Sequence, residues 1–560
     1  MPAGARAGAG TFWLASALLL LVSLGDASFR GSEDRFAEIT REMFVGGDFF
    51  HPTINGAPHF YKPLGSYWSI AAASLALGRL DELAARLPSA LAGLIALAAT
   101  VGLGRALFGS VAGRLAGWIL LSSYGFLLWS RTAAADMANL AAVVLAVAWF
   151  RTREHRPGGL FALVFLLICV AGAQAKGLAA IVVPLAVLAP HLLREARWRT
   201  HADARVLVRV LLIALALYVA PFVAAEIARG SPGFGGVPSA SAEARSGLAM
   251  VFQENVQRFF APHDHQGPIY TYLFAVPELL LPWSIAFVAA LMAMVPAWKR
   301  LEPDTRWVVE AIAIVFVVFT TSGSRRSYYI LPILPFCALL VGVFLARSPE
   351  GLAERSLGWT RLVLRLVAAL EVLAPIAAAI LWLAGFPVPP KLVLVTTGLG
   401  VLGLVLWREG VRPVLARLLG VETWVAPHVA ASALLLGGFF CLQYPVLDRF
   451  RTEKQFALVL REEARGLAPD RIAFVRHVPA LFPFYMDVAA PVRVVRDSRD
   501  LEEHLKGGSG IVVASRGALE KLGGPLPEDL WGPADWSEPE PPWDRSGRRR
   551  FQAWRFDGAP

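Results

Sequence analysis

The sequence is short of charge. Only 17% of its 560 residues are Asp, Glu, Lys or Arg, whereas 56% are hydrophobic. An average soluble domain is about a quarter charged, so this balance argues against a soluble globular chain and for a polytopic helical membrane protein. Cysteine is nearly missing. Cys169, Cys337 and Cys441 all fall in apolar runs and form no CxxC pair, so buried apolar thiols are expected in place of disulfides or metal ligands. There is no Walker loop, no glycine motif in the strand–turn–helix setting of a Rossmann unit, and no repeat of solenoid length, which disfavours a nucleotide-driven pump.

Long apolar runs are abundant. Thirteen occur, over about 9–26, 87–106, 112–130, 133–150, 159–175, 177–194, 206–228, 271–296, 307–322, 328–346, 362–385, 391–407 and 425–445. Runs of this length read as membrane-spanning helices, in which Gly and Pro are tolerated. The first, Thr11 to Gly25 after Arg6, is short enough for a signal peptide, but the runs that follow it favour an uncleaved first helix. The net charge of +10 needs no nucleic acid. Arg and Lys gather in alternate short loops, among them Arg151, Arg153 and Arg156, Arg194, Arg197, Arg199 and Arg205, and Arg408, Arg412 and Arg417. The intervening loops hold only Arg131, Lys176, Arg325, Arg326 and Lys391. The positive-inside rule then places the N-terminus in the cytoplasm and the C-terminus outside.

This topology leaves two long outer loops, about 27–86 and 229–270. The second has a Gly/Pro/Ser-rich first half and a surface helix expected over Leu248 to Phe260. In the first, Asp34 to Met43 has helical apolar spacing, with Ser32 as its N-cap, and Gly46-Gly47 ends it. Past about Val446 the composition becomes soluble. Strands are expected at 471–476, 492–495 and 510–514, alternating with helices. The expected architecture is an α-helical polytopic membrane domain over 1–445 with a small soluble α/β domain over 446–560.

Chemistry-bearing residues cluster in the outer loops. The first loop carries Glu33, Asp34, Arg35, Glu38, Arg41 and Glu42, then Asp48, His51, His59, Tyr61 and Lys62. Carboxylates there can act as a general base, while Arg35 and Lys62 can hold a phosphate. Arg131 and Asp136 bracket the next outer turn, either as a functional pair or as a structural ion pair. Lys176 stands at the turn after that, where a snorkelling anchor is the plain alternative. The second loop holds Glu254, Asn255 and Arg258, and His263-Asp264-His265, a weak zinc-like pattern. Arg325, Arg326, Tyr328 and Tyr329 form either an interfacial belt or an anionic headgroup grip.

These motifs resemble the GT-C membrane glycosyltransferases, and within them the bacterial group of lipid A aminoarabinose transferases and protein O-mannosyltransferase relatives. The resemblance runs over about 11–445. It is carried by Glu33-Asp34-Arg35-Phe36-Ala37-Glu38-Ile39-Thr40-Arg41-Glu42-Met43, Gly47-Asp48, Asn55-Gly56-Ala57-Pro58, Lys62-Pro63, Asp136-Met137, Lys176-Gly177, Glu254 to Phe259, Pro282-Trp283 and Tyr329 to Pro332. It implies that a sugar passes by inverting displacement from a polyprenyl-phosphate carrier to a lipid, glycan or protein acceptor at the outer face of a bacterial cytoplasmic membrane.

Residue by residue, the resemblance makes Glu33 or Asp34 the base, with Glu33 preferred, and Asp136 a second acid. Arg35, Lys62, Arg258 and Tyr329 become the phosphate site, with Tyr61, Arg131, Lys176, Glu254, Arg325 and Arg326 as further site residues. Two family ligand positions hold Tyr61 and Asn255 here, so no metal and no other cofactor is expected. A protein O-mannosyltransferase is the alternative within the enzyme class. A lipid-linked-sugar flippase, with charges spread through the midplane, and an inactive scaffold are alternatives outside it.

Overall fold

In the computed structural model, the structure describes residues 3–59, 62–201, 203–228, 267–346, 388–522, 534–539 and 550–556, with scattered positions between 362 and 383. Helix α1 (Ala3–Leu21) leads to α2 (Glu33–Gly46), the small hairpin β1–β2 (Thr53–Ile54, Ala57–Pro58) and α3 (Gly65–Leu77). The bundle continues with α4 (Glu82–Phe108), α5 (Ser110–Leu121), α6 (Tyr124–Ser130), α7 (Asp136–Arg153), α8 (Gly159–Lys176), α9 (Ala179–Leu193) and α10 (Ala204–Ala228). After residue 266 come α11 (Thr271–Leu279), α12 (Ser284–Met294), α13 (Pro303–Thr321), a 3₁₀ segment Ser327–Ile333 running into α14 (Leu334–Ala346), α15 (Pro390–Leu406), α16 (Arg412–Leu419) and α17 (Ala426–Gly438).

Every apolar run expected to span is helical here, apart from 362–385, most of which lies outside the described residues. Among the described residues, five helices are long and apolar enough to cross a membrane, or seven if each sharply bent pair counts as one span. The pairs α5–α6 and α11–α12 bend by 65° and 114°. Leu14, Leu75, Leu160 and Leu394 stay exposed at the bundle surface, as lipid-facing positions do.

Within a membrane, helices approach through small residues, because lipid gives no hydrophobic drive between them. A Cβ added at Gly342 of α14 would lie 2.8 Å from the Ala116 amide nitrogen of α5, and one at Gly113 would lie 2.5 Å from that of Arg105. Backbone meets backbone at both places, so neither can take a side chain without moving a helix.

The C-terminal part turns to strands where the long apolar runs end. Helix α18 (Glu453–Glu463) precedes β3 (Ile472–Val475), α19 (Leu481–Met486), β4 (Arg493–Val495), α20 (Ser498–Lys506), β5 (Gly510–Ser515), β6 (Trp536–Ser537) and β7 (Phe551–Phe556). The sheet order is β4-β3-β5-β7-β6, with β3 parallel to both neighbours and β7 antiparallel to both of its own. Alternate residues feed two cores, as a period of two requires. Phe474, Ile511 and Val513 pack on Phe456 and Phe482, while Ala473, Val475 and Val512 pack on Leu501 and Trp554. The first core also includes Phe29, Ala37, Ile70 and Ala85, so the sheet layer sits directly on α2, α3 and α4.

Polar ties reinforce this seat. Asn55 and Val492 exchange two hydrogen bonds, at 3.0 and 2.8 Å. The Tyr485 hydroxyl donates to Glu82 at 2.8 Å, and the Ser28 amide donates to Asp448 at 2.7 Å. Replacing Gly342 by Leu is expected to cost about 1–3 kcal/mol through overpacking, seen as a lower thermal midpoint in detergent. Gly398→Leu, at a position with nothing within 4 Å, is expected to leave the midpoint unchanged.

Candidate active site

The site begins with α2. Glu33 and Asp34 open the helix, where carboxylates complement its dipole, and Gly47 closes it at φ 67°. The helix runs 33–46, longer than the 34–43 read from spacing. Ser32, expected to cap it, makes no side-chain cap bond. Glu33 reaches back to accept from the Arg30 amide at 2.9 Å instead.

Glu33 is wholly buried. Its two oxygens accept from Arg86 Nε and Nη2 at 2.9 and 2.8 Å and from the Ala133 amide at 2.7 Å. Burial alone would raise its pKa, but the Arg86 charge and hydrogen bonds, Arg30 and the Ala133 N–H together hold it below 4.5. Four donors on its two oxygens tie Glu33 to Arg30, Arg86 and Ala133, so of the two candidate bases it is the one engaged within the fold. Arg86 also donates to the Leu24, Ala27 and Ser28 carbonyls. It thereby ties α4 to the chain entering α2.

Asp34, one residue on, points the other way. It lines a cavity of about 1040 Å³ with Arg30, Arg35, Glu38, His59, Trp129, Arg326, Tyr328, Arg476, His477 and Arg496. Burial is the main influence on Asp34 and raises its pKa, against the Arg35 N–H and charge and the Leu481 N–H; the Glu33 charge adds to the rise. Glu38 is pushed up to about 7, first by burial and further by Glu42, although Arg41 grips it at 2.7 and 2.8 Å. His59 is pushed down to about 4 by burial and by the charges of Arg35 and Lys62. The cavity is thus a strongly cationic chamber with two carboxyls of raised pKa in its wall, Asp34 and Glu38, of which Glu38 is gripped by Arg41.

Asp136 and Arg131 do not pair. Arg131 donates to the carbonyls of Leu19 and Val22 at 2.9 and 2.7 Å, holding α1. Asp136, at the start of α7, forms its ion pair with Lys176, the last residue of α8. The Lys176 ammonium lies 4.8 Å from the Tyr329 ring centre and 5.8 Å from that of Tyr328. Two turns that the sequence separates thus meet beside the cavity. Arg326 donates to the Tyr328 hydroxyl at 2.9 Å, and the Tyr328 ring packs at a 32° tilt against Trp129 with ring centres 4.2 Å apart. Arg325 turns away, to the Thr320 and Gly267 carbonyls. Lys62 lies near enough to His59 to depress it.

Tyr61, Glu254, Asn255, Arg258, His263 and His265 lie outside the described residues, as does the surface helix expected over 248–260. Among the described residues no three His, Cys, Asp or Glu side chains converge as a metal site. Sequence reading passed over Arg30, Arg86, Arg476, His477 and Arg496. Arg86 sits near an expected span edge and carried a signal as an intramembrane charge. The three C-terminal residues carried none, because only the fold brings them to α2.

A bundle of apolar helices with a charged cavity at one end, roofed by a mixed sheet, is the architecture of a multi-pass membrane protein. The family described as dolichyl-phosphate-mannose-protein mannosyltransferase matches residues 61–224. The chain is 29% identical over 421 residues to an undecaprenyl phosphate-alpha-4-amino-4-deoxy-L-arabinose arabinosyl transferase of Pseudomonas paraeruginosa, covering 72% of this chain and 70% of the relative. An uncharacterized protein of Aquifex aeolicus is 26% identical over 357 residues, 63% of this chain and 67% of that one. The fold matches the crystal structure of ArnT from Cupriavidus metallidurans bound to undecaprenyl phosphate, with a TM-score of 0.72, 21% identity and 97% of each chain covered. The resemblance drawn from the loop motifs is borne out.

Replacing Arg86 by Met leaves the Glu33 carboxylate buried without its partner, which is expected to destabilise the protein by about 3–5 kcal/mol, measured by thermal unfolding. Because Glu33 titrates lower folded than unfolded, its stabilisation is present above pH 4.5 and is lost as pH falls through the depressed value. Glu33→Gln is expected to remove that acid-side loss.

Proposed function

We propose that the protein is a membrane glycosyltransferase that moves a sugar from undecaprenyl phosphate to a glycolipid of the lipid A type. The reading places the cavity at the outer face of a bacterial cytoplasmic membrane, thirteen spans in the bundle, the N-terminus in the cytoplasm, and residues 446–560 as a soluble domain outside. The observation that carries it is Asp34, a carboxyl of raised pKa set among Arg30, Arg35 and Arg326 in one cavity. The similarity to arabinosyl transferases supports the pentose-type donor.

In the proposed step the acceptor oxygen attacks the anomeric carbon as the bond from that carbon to the phosphate oxygen breaks. The electron pair of the breaking bond goes to the phosphate. Asp34 takes the acceptor's proton, or orients the acceptor where it has none to lose. A raised pKa makes the ionised carboxylate a better proton acceptor. Arg35 and Lys62 are assigned to the growing phosphate charge, and the loop motifs assign Arg258 and Tyr329 to the same role. Guanidinium groups meet phosphate oxygens in a planar fork, and in a desolvated site such contacts stabilise the transition state. The Asp136–Lys176 pair holds Lys176 at the edge of this field. The reading calls on no metal and no other cofactor.

The family match over 61–224 favours a second reading, a sugar transfer to a protein hydroxyl. One assay separates the two. Full-length protein in liposomes receives labelled sugar on undecaprenyl phosphate, with lipid A and a membrane protein extract as acceptors. Label is expected in lipid A, and Arg35→Ala or Lys176→Ala is expected to lower the rate by about 10²-fold. Label in protein would transfer the assignment to the second reading. Label that crosses the bilayer still on its carrier would show a flippase instead.

A further inference from the structure

The cavity has two walls, and the proposed chemistry uses only one. The wall built by α2, α6 and the 3₁₀ turn before α14 holds Asp34, Arg35 and Arg326. The facing wall belongs to the C-terminal sheet. Its cations are Arg476 and His477, which directly follow β3, and Arg496, which directly follows β4. In open α/β sheets, ligands bind beyond the carboxyl ends of parallel strands, where connections diverge. Here the chain leaves β3 for β4 on one side, and leaves β4 for β5 on the far side of β3. The carboxyl ends of β3 and β4 open into the cavity.

The charges at this edge are left available. Arg493, three residues before Arg496, is neutralised by Asp500 at 2.6 Å and faces Glu503 at 3.8 Å. Asp500 also accepts the Arg496 amide at 3.1 Å, but the Arg496 guanidinium has no acid partner among the described residues. Arg476 is held from its backbone, its amide donating to the Val495 carbonyl at 2.7 Å. It sits at φ 70°, a conformation that a side chain other than glycine seldom adopts. One guanidinium nitrogen donates to the Lys521 carbonyl at 2.8 Å, which orients the group without neutralising it. Arg476, His477 and Arg496 are all exposed. Strained backbone that presents an unneutralised cation into a cavity is a pattern of binding sites.

We propose that Arg476, His477 and Arg496 form an anion-binding subsite for the acceptor, separate from the donor-phosphate wall, and set acceptor specificity by gripping a phosphate group of the acceptor headgroup. This rests on reading the cavity as a transferase site. It assigns to the C-terminal layer the role of orienting the acceptor, with its nucleophilic oxygen turned towards Asp34.

The test is a binding measurement, so it does not depend on turnover. Full-length protein in nanodiscs, as wild type, Arg476→Ala, Arg496→Ala and the double variant, is titrated with lipid A, with lipid A stripped of its phosphates, and with undecaprenyl phosphate. The double variant is expected to bind lipid A at least roughly tenfold more weakly, yet to bind undecaprenyl phosphate within roughly twofold of wild type. Stripped lipid A is expected to bind both proteins alike. Thermal midpoints should match, since both arginine side chains are exposed. Unchanged lipid A affinity overturns the proposal. An equal loss of undecaprenyl phosphate would assign the wall to the donor and also overturn it. Displacement of lipid A by submillimolar inorganic phosphate would make this a free-phosphate site and overturn it as well. If wild type binds as expected but transfers no sugar, the transferase reading fails; the three residues then hold a lipid A phosphate, and their role as an acceptor subsite is overturned with that reading.

Discussion

The buried contact between Glu33 and Arg86 sets the geometry of everything around it. A wholly buried carboxylate is tolerable only when its oxygens are fully hydrogen-bonded. Glu33 meets that condition with donors from Arg86, Ala133 and Arg30, which belong to α4, the α6–α7 turn and the loop entering α2. Arg86 reaches onward to three carbonyls just after α1. Four chain segments are thus fixed to one ion pair. Because α2 is pinned at its first residue, Asp34 is turned towards the cavity. The two acids have unlike surroundings, so one stays charged as scaffold while the other has raised basicity.

The second constraint is the seat of the C-terminal layer on α2. Helix α2 is too short and too polar to hold its position alone. Ala37 and Phe29 share a core with Phe474 and Phe482, and Arg41 bonds the Val488 carbonyl at 2.8 Å. The same contacts that bury the apolar face of α2 bring β3 and β4 over the cavity. Stability and the assembly of the site are therefore one problem in this fold. A change that loosens the sheet from α2 would open the cavity as well as lower the melting temperature. The cationic field also has a structural origin. Glu33, Glu38 and Glu42 are consumed by Arg86, by Arg41 and by the hairpin amides of Asn55 and Gly56. The remaining arginines face the chamber with little opposing charge.

Much of this was legible in the sequence, and what was not has physical causes. Apolar runs mark helices wherever their length and polar punctuation are clear, and α4, α8 and α10 lie where the runs do. The bends within α5–α6 and α11–α12 were not legible, because Pro is tolerated inside a spanning helix and Pro282 does not by itself mark a break. The first loop was recognisable as a site from its density of charge, but density does not say which carboxylate is buried. Choosing between Glu33 and Asp34 required Arg86, which lies far along the chain. In the same way, the short spacing of Arg131 and Asp136 allows an ion pair between them, whereas the fold pairs Asp136 with Lys176 across two helices. The sheet wall was illegible, since Arg476 and Arg496 look like ordinary surface arginines until β3 and β4 are placed over α2.

The most direct test of the account separates binding from chemistry at Asp34. Purified Asp34→Asn is titrated with undecaprenyl phosphate by thermal shift, where ligand binding raises the midpoint, and its sugar transfer is measured alongside. Removing a negative charge from a cationic cavity should leave the affinity equal to or tighter than that of wild type, while transfer falls by about 10²–10⁴-fold, the usual contribution of a positioned base. Transfer at the wild-type rate, or loss of carrier binding together with transfer, would contradict the assignment of Asp34 and the account built on it.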